Sequence, residues 1–139
     1  MEEALCFGWI DSIQRPYDEN HTVQRFSPRT KRSNYAWTNI ERLRWLDKQG
    51  MLHPIIRASV KDLIQKEFIF PPDIIDELKK DSVVWKNYQA FSDPYKRIRI
   101  AYIDDARKNP EEFNKRLKNF IKKTRQNRVF GYGGIEKYY

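Results

Sequence analysis

Apolar side chains recur along this chain with two periods. Between residues 9 and 25 they alternate with polar ones, and from residue 38 onward they return every three or four positions. The first pattern predicts a β-hairpin. Trp9 to Arg15 and Thr22 to Arg25 form its strands, with Trp9, Ile13, Tyr17 and Val23 offered to a buried side, and "PYDENH" supplies turn residues between them. Ahead of it, "EEALC" has helix-forming composition and stops at Gly8, a residue suited to end a short helix. Behind it, "SPRTKRSN" is a basic connecting loop.

The helical period brings start and stop signals with it. Thr38 and Glu41 have capping-box spacing, Ile40, Leu43 and Leu46 share one stripe, and Gly50 stands where a C-terminal glycine is wanted. Pro54 opens a second helix with Ile56, Val60, Leu63 and Ile64 on one face. Pro72 opens a third with Ile75 and Leu78; Asp81 or Ser82 caps a fourth with Val84, Trp85, Tyr88 and Phe91. Asp93 before Pro94 starts a fifth, and Asn109 before Pro110, with Glu112 closing a capping box, starts the last. That last helix has Phe113, Leu117, Phe120, Ile121 and Thr124 on one face and Lys115, Lys118, Lys122 and Arg125 on another. The tail "VFGYGGIEKYY" is glycine-rich, aromatic and expected to pack loosely. The pattern thus predicts an α+β fold, a short N-terminal helix and hairpin packed with a mostly helical C-terminal bundle. It divides as residues 1–37, 38–128 and 129–139 of one compact unit.

Size and charge narrow the functional classes. A chain of 139 residues closes a core without disulfides, and its single cysteine, Cys6, makes no framework. No apolar run approaches the roughly 20 residues of a membrane helix, and no signal-peptide order opens the chain, so a cytoplasmic protein is expected. The net charge of +8 divides by window as −3 over residues 1–13, +4 over 14–50, +2 over 51–110 and +5 over 111–139. Two basic regions result, with no like-charge run long enough to make a disordered tail.

Candidate chemistry is sparse. Cys6 has only His21 and His53 as imidazole partners and reads more simply as a small buried apolar residue. One cysteine and two histidines without paired spacing give no metal site, and Asp18 and Glu19 beside His21 read as turn residues. "GYGG" lacks the strand and helix of a phosphate cradle, and Asp104 and Asp105 point in different directions and read as solvated. No catalytic constellation and no cofactor motif emerges, so a non-enzymatic protein is expected. Arg25, Arg29, Lys31 and Arg32 interleave with Tyr35 and Trp37 as in single-strand binders, and Lys115, Lys118, Lys122 and Arg125 add a basic stripe. Weak nucleic-acid binding is therefore one reading. The other is a binding surface on the hairpin, where Trp9, Asp11, Gln24 and Arg25 are spaced to share a face and Arg29 adds a fork-shaped donor. Its structural counterpart is an ion pair from Asp11 to an arginine, holding the hairpin against the first helix.

The segments "EALCFGWIDS", "QRFSPRTKRSN" and "NIERLRWLDKQGML", then "PPDIIDELKKDSVVWKNYQAFSD" and "YIDDARKNPEEFNKRLKNFIKKT", resemble the bacterial YdeI or OmpD-associated (bacteriocin-protection) family over nearly the whole chain except the tail. The resemblance implies association with an outer-membrane porin and with survival against antimicrobial peptides, and a periplasmic alternative for location. It supplies no reaction, cofactor or catalytic residue to carry over. Members have a helix and a strand ahead of the "EEAL" helix, which this chain does not show. A strand missing beside the hairpin leaves a sheet edge open to a protein partner or to a second copy in a homodimer. Where members place tryptophan after the serine and asparagine, this chain has Tyr35, with Trp37 two residues on.

Overall fold

The computed structural model describes residues 1–131 and 136–138, and it is an α+β protein. Helix α1 (Glu2–Cys6) leads to strands β1 (Trp9–Pro16) and β2 (Thr22–Pro28). Helices α2 (Trp37–Lys48), α3 (Pro54–Ser59), α4 (Lys61–Gln65), α5 (Pro72–Lys79), α6 (Ser82–Ala90), α7 (Asp93–Asp104) and α8 (Pro110–Arg125) follow, with a single 3₁₀ turn at Glu136–Tyr138. Two compact units divide after Lys66, Met1–Lys66 and Glu67–Tyr139. The boundary drawn from sequence, at residue 37, sits elsewhere, because α2 shares the core of the first unit with α1.

In the N-terminal unit that core consists of Leu5, Cys6, Leu43, Leu46, Leu52 and Val60, with Tyr35, Trp45, Ile56, Leu63 and Ile64 packed against it. Gly8 ends α1 at φ +72°, and its carbonyl accepts from the backbone N–H of Arg29, tying the start of β1 to the exit of β2. Gly50 serves the same purpose after α2 at φ +68°. The helix expected to run from Pro54 through Ile64 breaks at Val60, whose φ of −104° and ψ of 6° leave the helical region. Val60 is itself buried, so the break turns α4 while keeping the apolar stripe inward.

The hairpin departs most from its pattern. Trp9, Ile13, Tyr17 and Val23 are 41%, 52%, 76% and 50% exposed, so the side offered to a core is not buried. A register shift explains why simple alternation misleads. Asp11 pairs with Phe26 and Gln14 with Gln24, which leaves two residues of β1, Ser12 and Ile13, opposite one of β2, Arg25. The extra residue puts Trp9 and Asp11 on the face that also carries Gln14, Gln24 and Phe26, whereas Ile13 falls with Val23 and Arg25 on the other. The turn follows expectation, since Asp18 Oδ1 accepts from the backbone N–H groups of Asn20 (2.9 Å) and His21 (2.8 Å).

In the C-terminal unit, Ile74, Leu78, Val84, Tyr88, Phe91, Tyr95, Ile100, Ile103, Leu117 and Phe120 form one core. α5 packs on α6, and α6 and α7 each pack on α8. Asp81 caps α6 and Asn109 caps α8, as the sequence predicts. The start of α7 moves by one residue, with Ser92 as its N-cap and Asp93 in its first turn. Glu112 does not complete a capping box, because its carboxylate accepts from Arg116 Nε at 2.9 Å. Phe113, Leu117, Phe120, Ile121 and Thr124 face inward on α8, and Lys115, Lys118, Lys122 and Arg125 face outward, as expected. Asp104, expected to be solvated, pairs with Arg107, which also forks onto Asp73 at 2.7 and 2.8 Å. Phe130 packs against the core, and Tyr138 is buried. Residues 132–135 and 139 of the tail, including most of "GYGG", lie outside the described residues.

Gly8 and Gly50 make a paired test. A Cβ on Gly8 would stand 2.8 Å from Ile56 Cδ1, and one on Gly50 would meet nothing within 4 Å, while both would inherit a left-handed backbone. Gly50→Ala is expected to cost about 1 kcal/mol and Gly8→Ala about 2 kcal/mol, read from hydrogen exchange of the α1, α2 and hairpin amides. Equal costs would mean that Ile56 yields freely.

Acid should loosen the second unit. Asp73 is held low by its hydrogen bonds from Arg107, Asp81 by the backbone N–H groups of Val84 and Val83, and Glu112 by Arg116. Each contribution is present above the ordinary carboxylate range and is lost as pH falls through the lowered folded values. Thermal unfolding of this unit is therefore expected to be flat from pH 7 to about 5 and to fall below about pH 4.

Candidate functional site

Most candidates read from the sequence lie on the hairpin or just beyond it. Trp9, Asp11 and Gln24 share one face, where Gln24 Nε2 donates to Asp11 Oδ2 at 2.9 Å. Arg25 is the next residue on β2 and therefore points to the opposite face, away from Asp11. There it lines a shallow pocket of about 280 Å³ with Ile13, Arg15, Val23 and Gln24. Among the described residues its lining holds two cations and no carboxylate.

Arg29 turns away from both groups. Its guanidinium lies 3.8 Å from the centroid of the Tyr35 ring, Nη1 donates to the carbonyl of Asn34 at 3.2 Å, and Nε is buried with no acceptor among the described residues. This is a structural stack that closes the basic loop onto the core through Tyr35. The ion pair from Asp11 to an arginine is thus replaced by the Asp11–Gln24 hydrogen bond on one side and the Arg29–Tyr35 stack on the other. Lys31 and Arg32 stay exposed in the loop.

Tyr35 and Trp37 make separate contacts. Tyr35 receives the guanidinium, and Trp37 Nε1 donates to Glu41 Oε1 at 3.0 Å. Glu41 was expected to cap α2 with Thr38, but α2 begins at Trp37 with Ala36 as N-cap, leaving Glu41 inside the helix and 3% exposed. There it accepts from Arg44 Nη1 at 2.9 Å, and Arg44 reaches on to the carbonyls of Ile64 (2.9 Å from Nε) and Lys66. The spacing Trp37, Glu41, Arg44 is the readable signal for this network, since residues three and four apart meet on a helix.

Cys6 is buried, and burial together with Glu2 and Glu3 pushes its thiol above the ordinary value, the opposite of an activated nucleophile. His53 does not serve it: its Nδ1 accepts from the backbone N–H of Ile55, and its ring lies 6.0 Å from that of Phe7. His21 instead meets Asp18 at 2.7 Å within the turn. Among the described residues, no group of three histidine, cysteine or acidic side chains is arranged to hold a metal ion, and no helix is long and apolar enough to cross a membrane.

The C-terminal unit adds a site the sequence pattern does not single out. A cavity of about 250 Å³ opens against α7 and α8, walled by Arg99, Tyr102, Lys115, Arg116, Asn119 and Phe130. Arg99 is 4% exposed although it sits between Ile98 and Ile100 in sequence. The basic stripe of α8 divides around this region. Lys115 comes within 4.0 Å of Glu112, and Arg125 pairs with Asp81.

A hairpin-bearing α+β unit followed by a helical unit with a basic last helix is the class of protein the geometry defines. Residues 67–127 match the family Bacteriocin-protection, YdeI or OmpD-Associated, and residues 1–59 match a domain of unknown function, DUF8412. Residues 67–127, within the C-terminal unit, are thus similar to the YdeI/OmpD-associated family. The segments "EALCFGWIDS" and "QRFSPRTKRSN" fall within the separate N-terminal match. Neither the curated proteins nor the solved structures give a significant match.

The two arginines of the hairpin region separate by experiment. Arg29→Ala is expected to cost about 1 kcal/mol of stability, through loss of the stack, and to expose Tyr35 to quenching. Arg25→Ala, fully at the surface, is expected to change stability by less than about 0.5 kcal/mol. Urea titration of both variants measures the difference.

Proposed function

We propose that the chain is a non-enzymatic interaction module that contributes to bacteriocin or envelope-stress protection by holding an acidic protein partner on its hairpin. The observation that carries this reading is the exposure of Ile13 and Val23, next to Arg15 and Arg25, on one face of a two-stranded sheet that pairs with no further strand among the described residues, with Trp9 exposed on the other face and Tyr17 in the turn. An exposed two-stranded sheet with apolar side chains is a template for an added strand, whose backbone supplies affinity while alternate side chains supply selectivity. Charge selects the partner. Among the described residues the pocket around Ile13 and Val23 presents two arginines and no acid, and the whole chain carries +8. Direct capture of a lysine- and arginine-rich antimicrobial peptide is therefore disfavoured, and the protective role runs through a negatively charged protein segment.

A synthetic ten-residue peptide alternating valine with glutamate is the probe, with its valine and lysine counterpart as control. The glutamate peptide is expected to shift backbone signals of residues 9–16 and 22–28, and to weaken about tenfold in the Arg15→Glu, Arg25→Glu double variant. Equal binding of the two peptides, shifts confined to other elements, or a hairpin covered by a second copy in sedimentation would each overturn the acidic-partner reading.

A second reading, nucleic-acid binding, draws on α8, where Lys118 and Lys122 are exposed and no described residue pairs with them. With Lys115 and Arg125 already beside acids, about two phosphate contacts are expected on this face. Binding to an oligo-dT strand should then fall with a log–log salt slope near −1.4. A slope steeper than about −4 would make nucleic acid the primary partner instead, drawing in Lys31 and Arg32 as well.

A further inference from the structure

A groove on the C-terminal unit carries hydrogen-bond donors that the fold leaves unused. It opens against α5, α6 and the start of α7, has a volume of about 420 Å³, and is lined chiefly by Phe70, Ile75, Trp85, Tyr88, Asp93 and Lys96. Tyr88 is 5% exposed, its ring stacked on Trp85 at 5.5 Å and set edge-on to Phe120 at 6.3 Å. A tyrosine this buried ordinarily finds a partner for its hydroxyl. Here the hydroxyl meets none among the described residues, and it is not sealed from solvent. Burial, with Asp93 nearby, raises the phenol above its ordinary value, so it keeps its proton and acts as a donor. The indole N–H of Trp85, on the same lining, also has no acceptor among the described residues. The charged groups, by contrast, are engaged. Lys96 Nζ donates to the Gln89 carbonyl at 3.1 Å, stands 3.5 Å from Asp93 Oδ1, and lies 5.6 Å from the centroid of the Tyr88 ring. Lys79 Nζ is placed in the same way 5.3 Å from the Trp85 centroid. A cationic ligand would meet ammonium groups already set over both rings, and an anionic one would meet Asp93.

From this arrangement we infer that the groove binds a neutral, proline-rich peptide segment in the polyproline II conformation. Such a segment brings acceptors without donors, because proline has no backbone N–H and the helix makes no internal hydrogen bonds. Its carbonyls therefore match the Tyr88 hydroxyl and the Trp85 N–H, which follow one another by about a turn along α6. A saccharide brings a donor with every hydroxyl and suits the groove less well, since the Gln89 carbonyl and Asp93 already accept from Lys96. Phe70, Ile75 and Trp85 supply the aromatic and apolar wall on which proline rings pack. Charge complementarity agrees, because a neutral segment leaves Asp93 and Lys96 engaged with each other. The bound conformation is already present in the free peptide, so little ordering entropy is lost. None of these residues belongs to the hairpin, so the proposal stands or falls apart from the acidic-partner reading above.

Acetylated and amidated decaproline is the probe, titrated into the full chain and followed by amide and indole NMR, with a glycine–serine peptide of the same length and maltose as comparisons. Decaproline is expected to shift the Trp85 indole signal and the amides of residues 70–75 and 85–96, and to bind about tenfold more tightly than the glycine–serine peptide. Tyr88→Phe removes only a hydroxyl that no described residue uses. Its melting temperature should fall by less than about 2 °C, while decaproline weakens about fivefold. Trp85→Phe keeps an aromatic ring and loses the N–H, and should weaken decaproline by about fivefold as well. No shift at about 1 mM decaproline, equal binding of the glycine–serine peptide, or tighter binding of maltose would overturn the assignment. So would an unchanged decaproline affinity in Tyr88→Phe, shifts confined to other elements, or a dimer whose formation perturbs the groove signals in place of the peptide. Should Trp85→Phe fail to fold, Tyr88→Phe and the wild-type comparisons decide the matter by themselves.

Discussion

Helices of five to sixteen residues leave a large share of their carbonyls beyond the last intrahelical hydrogen bond, and both units depend on finding donors for them. The solution recurs. Arg44 on α2 donates to the carbonyls of Ile64 and Lys66 at the end of α4. Asn87 on α6 donates to Thr124 and Arg125 at the end of α8, and Arg116 on α8 donates to Tyr102 near the end of α7. In each case a polar side chain from one helix closes the frayed end of another. The pairing of helices and the satisfaction of their ends are therefore one event, and a helix cannot slide along its neighbour without opening its own last turn.

Arg44 shows how such a donor is kept in place. An arginine brought near the interior loses hydration, and Glu41 offsets that loss with a charge-assisted hydrogen bond while Trp37 occupies the same carboxylate oxygen from the other side. The pair adds geometric definition more than net stability, because desolvating both charges consumes much of their attraction. Arg116 is organised alike, with Glu112 one turn away on its own helix and an aromatic ring beneath the guanidinium. The difference lies in what faces the fork. Arg44 has two carbonyls to serve, whereas Arg116 has one and a cavity.

Much of this architecture was legible in the order of residues. Caps at Asp81 and Asn109, the stops at Gly8 and Gly50, prolines at helix starts and the two faces of α8 all follow from local chemistry, which acts within a few residues of its cause. What escaped depends on contacts made far along the chain. Thr38 and Glu41 satisfy the spacing of a capping box, yet burial of Glu41 beside Arg44 outweighs the gain of an exposed cap. Arg99 reads as one more surface cation in a basic stretch until α8 and Phe130 close over it. The candidate site on the hairpin was half legible: Trp9, Asp11 and Gln24 do share a face, but Arg25 cannot join them on a strand where neighbours point apart.

The bulge at Ser12 and Ile13 makes the hairpin's two faces a matter of counting. Ser12 Oγ donates to the Arg25 carbonyl at 3.3 Å across this irregularity, and everything before it is out of phase with everything after it. Loss of one residue there, the outcome of a single in-frame codon deletion, would restore strict alternation with Asp11 still opposite Phe26 and Gln14 still opposite Gln24. Both surfaces would keep their chemistry, and only the local twist of the strand would change. The joint is thus the place where β1 can change its length by one residue without exchanging its two faces.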